Sequence, residues 1–175
     1  GGASSDGIGI VEQLVFGAGF ASPFDNPDLA ERTIVVSSIS KSHAAPGFRS
    51  GWAIGPAKFC TRLLAVSETM LFGGQPFIAD MTAYALDNPI STAATMRQSY
   101  KARAARFADA LSRAPGLVPL PPEAGMFIVV DVSETGMSGE EFAWALLNEE
   151  LVAVMPGSSF GEGAAGFIRL SLTVP

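Results

Sequence analysis

The chain has 175 residues, of which 48% are hydrophobic and 16% are charged, and its formal net charge at pH 7 is −6. This composition excludes a disordered chain, and the acidic balance argues against a nucleic-acid or anionic-membrane surface, which would need clustered lysine and arginine. A single cysteine excludes an internal disulfide framework, and no apolar run approaches the roughly 20 residues that cross a bilayer. We therefore expect a globular cytoplasmic protein without a nucleic-acid or membrane partner.

The first part of the chain alternates short apolar runs with turns rich in glycine and proline. An apolar stretch at 8–16 and a β-branched run from Thr33 to Ser38 predict two strands. Pro56 stands at the first position of a predicted helix that ends at Gly73-Gly74, because proline lacks the N–H that a helix start leaves unpaired. Helical periodicity then predicts two more helices, from Pro76 to Leu86 and from about Ser91 to Arg113.

The last third of the chain predicts a compact α+β unit with the order strand, helix, strand, loop, strand. Gly125–Asp131 is an apolar run typical of a strand. Ser138 and Glu141 match a capping box, in which each side chain pairs with a free backbone N–H, and predict a helix that runs to about Glu150. Two further strands are predicted on either side of a glycine-rich loop, at Leu151–Met155 and Phe167–Leu172.

Polar side chains gather at the carboxyl end of the Thr33–Ser38 strand. Ser38 and Lys41 follow its apolar residues, and Arg49 comes eight residues after the lysine. Open α/β sheets bind their ligands at the carboxyl ends of strands. This stretch is therefore the first candidate for a functional site.

The same stretch resembles a known family signature. Ser38-Ile-Ser-Lys41 followed by Pro46-Gly-Phe-Arg49-Ser-Gly-Trp52 is similar to the cofactor-lysine motif of class I/II aminotransferases, the fold-type I enzymes that use pyridoxal phosphate. Three later stretches agree in order and spacing: Glu123–Phe127, Val154–Phe160 and Phe167–Ser171. The resemblance implies an α/β fold that is the C-terminal portion of such an enzyme, with part of the large cofactor-binding domain at 1–90 and a small α+β C-terminal domain at 91–175.

The resemblance also implies roles for four side chains. Lys41 would bond to the cofactor aldehyde through its amine and carry a proton between carbon atoms. Ser38 and Arg49 occupy the family positions that hold the cofactor phosphate, to which a hydroxyl and a planar guanidinium can both donate. Arg169, inside an apolar strand, would hold the substrate α-carboxylate; from the residue alone, an ion pair with a carboxylate of the same unit is an equal alternative. No Cys/His cluster has metal-ligand spacing, so no metal is expected.

The chain departs from the family pattern near its start. The family places an aspartate and a tyrosine in an Asp-x-x-Tyr arrangement, where the aspartate keeps the pyridine nitrogen protonated and the tyrosine contacts the ring oxygen. Those positions hold Ile8 and Val11, and the nearest acid, Asp6, lies two residues out of register.

Three functional hypotheses follow. The first is an aminotransferase that moves an amino group from an amino acid to a 2-oxo acid and works as a homodimer or with another covering chain. A carbon–sulfur lyase or a synthase of the same fold would use the same lysine and arginines. The third is a non-catalytic folded fragment, a dimerisation or binding module, which the missing aspartate and tyrosine favour.

Overall fold

The computed structural model of the chain describes residues 14–17, 19, 21–88 and 91–173. Its contacts divide the chain into two compact units, Gly1–Met96 and Arg97–Pro175. Both units combine helices with strands, which agrees with the predicted α/β class. The domain boundary predicted near residue 90 stays a prediction, and most of the strand predicted at 8–16 lies outside the described residues.

In its described part, the first unit is built around a two-stranded antiparallel sheet. β1 (Val35–Ser38) pairs with β2 (Gly51–Ile54), and Ser38 lies opposite Gly51. The helices are α1 (Pro27–Ala30), α2 (Ile39–Ser42), α3 (Ala57–Leu71), α4 (Pro76–Asp87) and the start of α5 (Ser91–Leu111), which belongs to the second unit from Arg97 onward.

The helix ends of the first unit follow from proline and from left-handed backbone. α3 begins at Ala57, one residue after the predicted first position at Pro56. Pro76 is the first residue of α4, as predicted. α3 ends at Leu71, and the next residue, Phe72, has a φ of +51°, so a left-handed phenylalanine and not the predicted Gly73-Gly74 follows the helix. No residue of α3 is buried, and Phe72 itself is 94% exposed.

The second unit contains a four-stranded antiparallel sheet. Its strands are β3 (Val118–Leu120), β4 (Phe127–Asp131), β5 (Met155–Pro156) and β6 (Phe167–Ser171), and the helix α6 (Gly139–Glu150) connects β4 to β5. The strand order is β3-β4-β6-β5, and in the central pair of strands Val129 lies opposite Arg169. Pro119 lies in the edge strand β3, where a missing N–H is tolerated.

The predicted capping box begins α6, and a left-handed residue ends it. The Glu141 N–H donates to the Ser138 hydroxyl, and the Glu141 carboxylate accepts from the Ser138 N–H at 2.8 Å, which lowers the pKa of that carboxyl. Leu151 follows α6 with a φ of +59°. The strand predicted at Leu151–Met155 is therefore wrong over most of its length, because its first residue ends the helix and only Met155 reaches the sheet.

One face of the four-stranded sheet forms the core of the second unit. Val130 and Val132 lie at 0% exposure beside Ile168 and Ala143 of α6. The opposite face carries Arg169 and is partly exposed. None of the described helices has the length and apolar character needed to cross a bilayer.

Candidate active site

Lys41 lies where β1 turns directly into the short helix α2. Ser38 is the last residue of β1, and its carbonyl accepts a hydrogen bond from the Ser42 hydroxyl at 3.1 Å. The sequence predicted the strand but not α2, which places Lys41 three residues beyond Ser38 on helical backbone. The strand end and the first helical turn thus hold both side chains within one short segment.

Two polar groups of this segment have no partner among the residues that the structure describes. Neither the Lys41 amine nor the Ser38 hydroxyl forms a hydrogen bond or ion pair with any residue that the structure describes. Both residues are half-buried. Partly buried polar groups without a protein partner are suited to bind a polar ligand.

Arg49 has an uncommon backbone conformation. Its φ of +53° and ψ of +41° lie in the left-handed region, which costs a residue with a Cβ about 1–2 kcal/mol. One guanidinium nitrogen donates to the Pro46 carbonyl at 2.9 Å, and the side chain is exposed. Strained residues of this kind concentrate at functional sites. The contact to Pro46 leaves the other N–H groups of Arg49 available to an anion.

Two contacts tie the segment from His43 to Ser50, which contains Arg49, to α4. The Thr82 hydroxyl donates to the Ile78 carbonyl at 2.7 Å, so the 2.6 Å contact between Thr82 and Ser50 must be donated by Ser50. The Nε2 of His43 lies 3.2 Å from the Ala85 carbonyl, which can only accept, so this nitrogen carries a proton. Thr82 and Ala85 are neighbours on one helix, and both ends of the segment are therefore fixed to the same support.

No sequence pattern predicts this support. The His43 ring bonds to a carbonyl 42 residues away. Thr82 contacts Ser50 from 32 residues away and has no motif around it. Only a tertiary contact identifies either residue.

Gly51 is required by the distance between the two strands of the first unit. A Cβ built at Gly51 would lie 2.7 Å from the Ser37 carbonyl oxygen and 3.2 Å from the Ser38 Cβ. A side chain there would push β2 away from the end of β1. The glycine therefore allows the two strands to approach closely.

A cavity of about 710 Å³ lies beside Arg49 in the first unit. It is lined by the Arg49 loop, the end of α3 and the start of α4. Ser38 and Lys41 are not among its lining residues. The groups that could hold a cofactor are therefore the donors of Ser38, Lys41 and Arg49, and this cavity does not connect them.

Arg169 lies on the partly exposed face of the second unit's sheet. Its guanidinium carbon is 4.1 Å from the centre of the Phe127 ring and 4.6 Å from that of Phe160. Within the described part of the chain, no carboxylate comes within 4.0 Å of this guanidinium. The ion pair considered as an alternative role for Arg169 is thus not seen there.

The predicted site residues divide between the two units. Ser38, Lys41 and Arg49 belong to the first unit, and Arg169 belongs to the second. Asp6, Ile8 and Val11, where the family pattern fails, lie outside the described residues.

Comparisons with known proteins agree on one family. Residues 11–175 match the family model described as aminotransferase class I and II. The arginine–pyruvate transaminase AruH of Pseudomonas aeruginosa is 41% identical over 165 residues, which cover 94% of this chain and 42% of that protein. The aspartate aminotransferase of Musicola paradisiaca is 33% identical over 146 residues, 83% of this chain and 36% of that protein.

A solved structure supports the same conclusion for the fold. The aromatic aminotransferase from Pyrococcus horikoshii superimposes with a TM-score of 0.88 at 28% identity, over 95% of this chain and 45% of that one. The chain spans about two fifths of the length of the relatives that it matches.

Proposed function

This chain belongs to the class I and II aminotransferases, which are pyridoxal-phosphate-dependent enzymes, and we propose that its protein moves an amino group from an amino acid to a 2-oxo acid. The observation that carries the proposal is the pair of unused groups at the end of β1, the Lys41 amine and the Ser38 hydroxyl. A binding module would have no need to keep a half-buried amine without a partner.

The donor set fits pyridoxal phosphate. The Ser38 hydroxyl and the remaining N–H groups of Arg49 suit a phosphate, because a hydroxyl and a planar guanidinium can donate to different oxygens of one group. When bound, the cofactor supplies an aldehyde that reacts with amines and a ring that withdraws electrons from the amino-acid carbon.

Lys41 has two tasks in this proposal. Its Nζ would hold the cofactor by its aldehyde. The same Nζ, when a substrate amine takes its place, would accept the proton of the substrate Cα and hold it for return.

Arg169 would hold the substrate by its α-carboxylate. Its side chain is charged, half-buried and not paired with a described carboxylate. A two-pronged contact between guanidinium and carboxylate would orient the Cα–H bond for proton removal.

A visible spectrum tests the role of Lys41. Pyridoxal phosphate added to the purified protein should give an absorption band of the bound cofactor that disappears on addition of an amino acid, and Lys41→Ala should remove this band. Arg169→Ala should keep the band and raise the KM for both substrates. A band that is unchanged in Lys41→Ala would contradict the assignment, and no band in the unmutated protein would favour the binding module.

The relatives suggest the first substrates to compare. AruH is named for arginine and pyruvate, whereas another relative is named for aspartate. Arginine and aspartate should therefore be tested as amino donors with pyruvate as the shared acceptor, and alanine formation measured in each case. We expect arginine to give the larger kcat/KM, and equal or inverted values would contradict this choice of donor.

A further inference from the structure

Arg169 is held by aromatic rings where a charged partner would be expected. Its guanidinium carbon lies 4.1 Å from the Phe127 ring centre and 4.6 Å from that of Phe160. The described part of the chain offers it no carboxylate within 4.0 Å. An arginine in an apolar strand needs some group to stabilise its charge, and here the two rings take that place.

The type of contact decides what remains available to a ligand. A carboxylate would accept hydrogen bonds from the guanidinium and neutralise its charge. An aromatic face attracts the cation through its quadrupole and uses none of the five N–H groups. Ring contact therefore fixes the side chain and leaves both its charge and its donor edge free.

The two rings come from separate parts of the second unit. Phe127 lies in β4 two residues before Val129, the partner of Arg169, so its side chain shares the face of the sheet that carries the arginine. Phe160 ends a short 3₁₀ turn, Gly157–Phe160. That turn is set closely against its neighbours, since a Cβ on Gly157 would lie 2.1 Å from the Ala164 carbonyl oxygen.

We propose that Phe127 and Phe160 are positioning residues that hold the Arg169 guanidinium by ring contact, so that its N–H groups stay free to bind the substrate α-carboxylate. The proposal rests on the proposed function. The two phenylalanines affect carboxylate binding only through their contact with Arg169. Phe127 should contribute more than Phe160, because Phe127 is half-buried whereas Phe160 is 58% exposed.

Leucine substitutions test the ring contact in the intact protein. Phe127→Leu should raise the KM for amino acid and 2-oxo acid about 5- to 30-fold, and Phe160→Leu about 2- to 5-fold, with the cofactor band and kcat little changed. The matched control is Phe167→Leu, since Phe167 lines the same cavity of about 400 Å³ as Phe160 and Arg169 but has no ring contact with the guanidinium.

A second measurement separates carboxylate binding from catalysis. The dissociation constant of propionate should rise in parallel with KM in Phe127→Leu and Phe160→Leu, whereas that of propionamide, which has no charge, should not change. Phe127→Tyr keeps an aromatic face and should retain propionate binding near that of the unmutated protein. This variant also serves as the test if the leucine variants do not fold.

The outcomes distinguish this proposal from the proposed function. If the unmutated protein neither transaminates nor binds propionate, the proposed function fails, and this proposal fails with it. If it does both while the two leucine variants behave like Phe167→Leu, only the ring contact is refuted. A tyrosine variant that loses as much affinity as the leucine variant would refute it as well.

Discussion

At the scale of single residues, the candidate site is defined by groups that the protein leaves without partners. The Ser38 hydroxyl and the Lys41 amine are half-buried and unpaired among the described residues, while Arg49 carries backbone strain. Each of these features lowers stability slightly unless a ligand uses it. Their occurrence within one short segment is what a cofactor site requires.

Ser38 provides a test of the phosphate cradle at this scale. Ser38→Ala should weaken binding of pyridoxal phosphate about 10- to 100-fold, because a hydrogen bond to a charged group contributes roughly 1.5–3 kcal/mol. The visible band, titrated with cofactor, measures the dissociation constant. Ser112→Ala removes an exposed serine hydroxyl in the other unit and should leave the constant unchanged. Equal affinities for the Ser38 variant and the unmutated protein would remove Ser38 from the site.

Site residues differ in how far sequence reveals them. Ser38, Lys41 and Arg49 form one contiguous motif, so their spacing alone suggests a common task. Thr82 contacts Ser50 across 32 residues of chain, and Ala85 contacts His43 across 42 residues. No local sequence pattern encodes such contacts. The ring contacts of Arg169 depend in the same way on strand register.

At the scale of elements, left-handed residues determine where the helices end. α3 and α6 each stop at a large apolar residue with positive φ, Phe72 and Leu151. Glycine is the usual residue at such a position, because it has no Cβ to clash. Sequence rules predict the capping box of α6 correctly, since Ser138 and Glu141 are a local signal. They miss the helix end at Leu151, because leucine rarely adopts left-handed backbone.

Leu151→Gly should therefore stabilise the second unit. The glycine removes the left-handed strain, worth about 1–2 kcal/mol, and costs about 0.5–1 kcal/mol in chain entropy, so a net gain of roughly 0.5–1 kcal/mol is expected. Little apolar burial is lost, because Leu151 is 85% exposed. The free energy of unfolding in urea measures the change.

The neighbouring Ala153 provides the control for Leu151. It is exposed and has no positive φ, so Ala153→Gly should lower the free energy of unfolding. A loss of stability in both variants would show that strain does not govern the end of α6.

At the scale of the whole chain, buried apolar side chains are unevenly distributed. Among the described residues, the first unit buries Leu14 and Ile39, whereas the second buries nine, including Ile128, Val130 and Ile168. The first unit has instead many large exposed apolar side chains along α3 and α4. Since burial of apolar surface is the main stabilising contribution to folding, the second unit should be the more stable part.

Hydrogen exchange tests this difference. In the 175-residue chain, amide protons in the β4–β6 pair should exchange at least about tenfold more slowly than those in the β1–β2 pair, because local opening costs less free energy where fewer apolar contacts are lost. Both pairs are antiparallel, so their hydrogen-bond geometry is comparable. Similar protection in the two pairs would contradict the expected difference in stability.

The contact between His43 and Ala85 has a consequence for spectroscopy. The chain contains one histidine, and its ring lies two residues after Lys41 while bonding to α4. In a nuclear magnetic resonance spectrum, its ring protons would give an isolated set of signals that needs no assignment. Loss of the contact with α4 would shift these signals, so a titration with cofactor could be followed two residues from Lys41 without any introduced label.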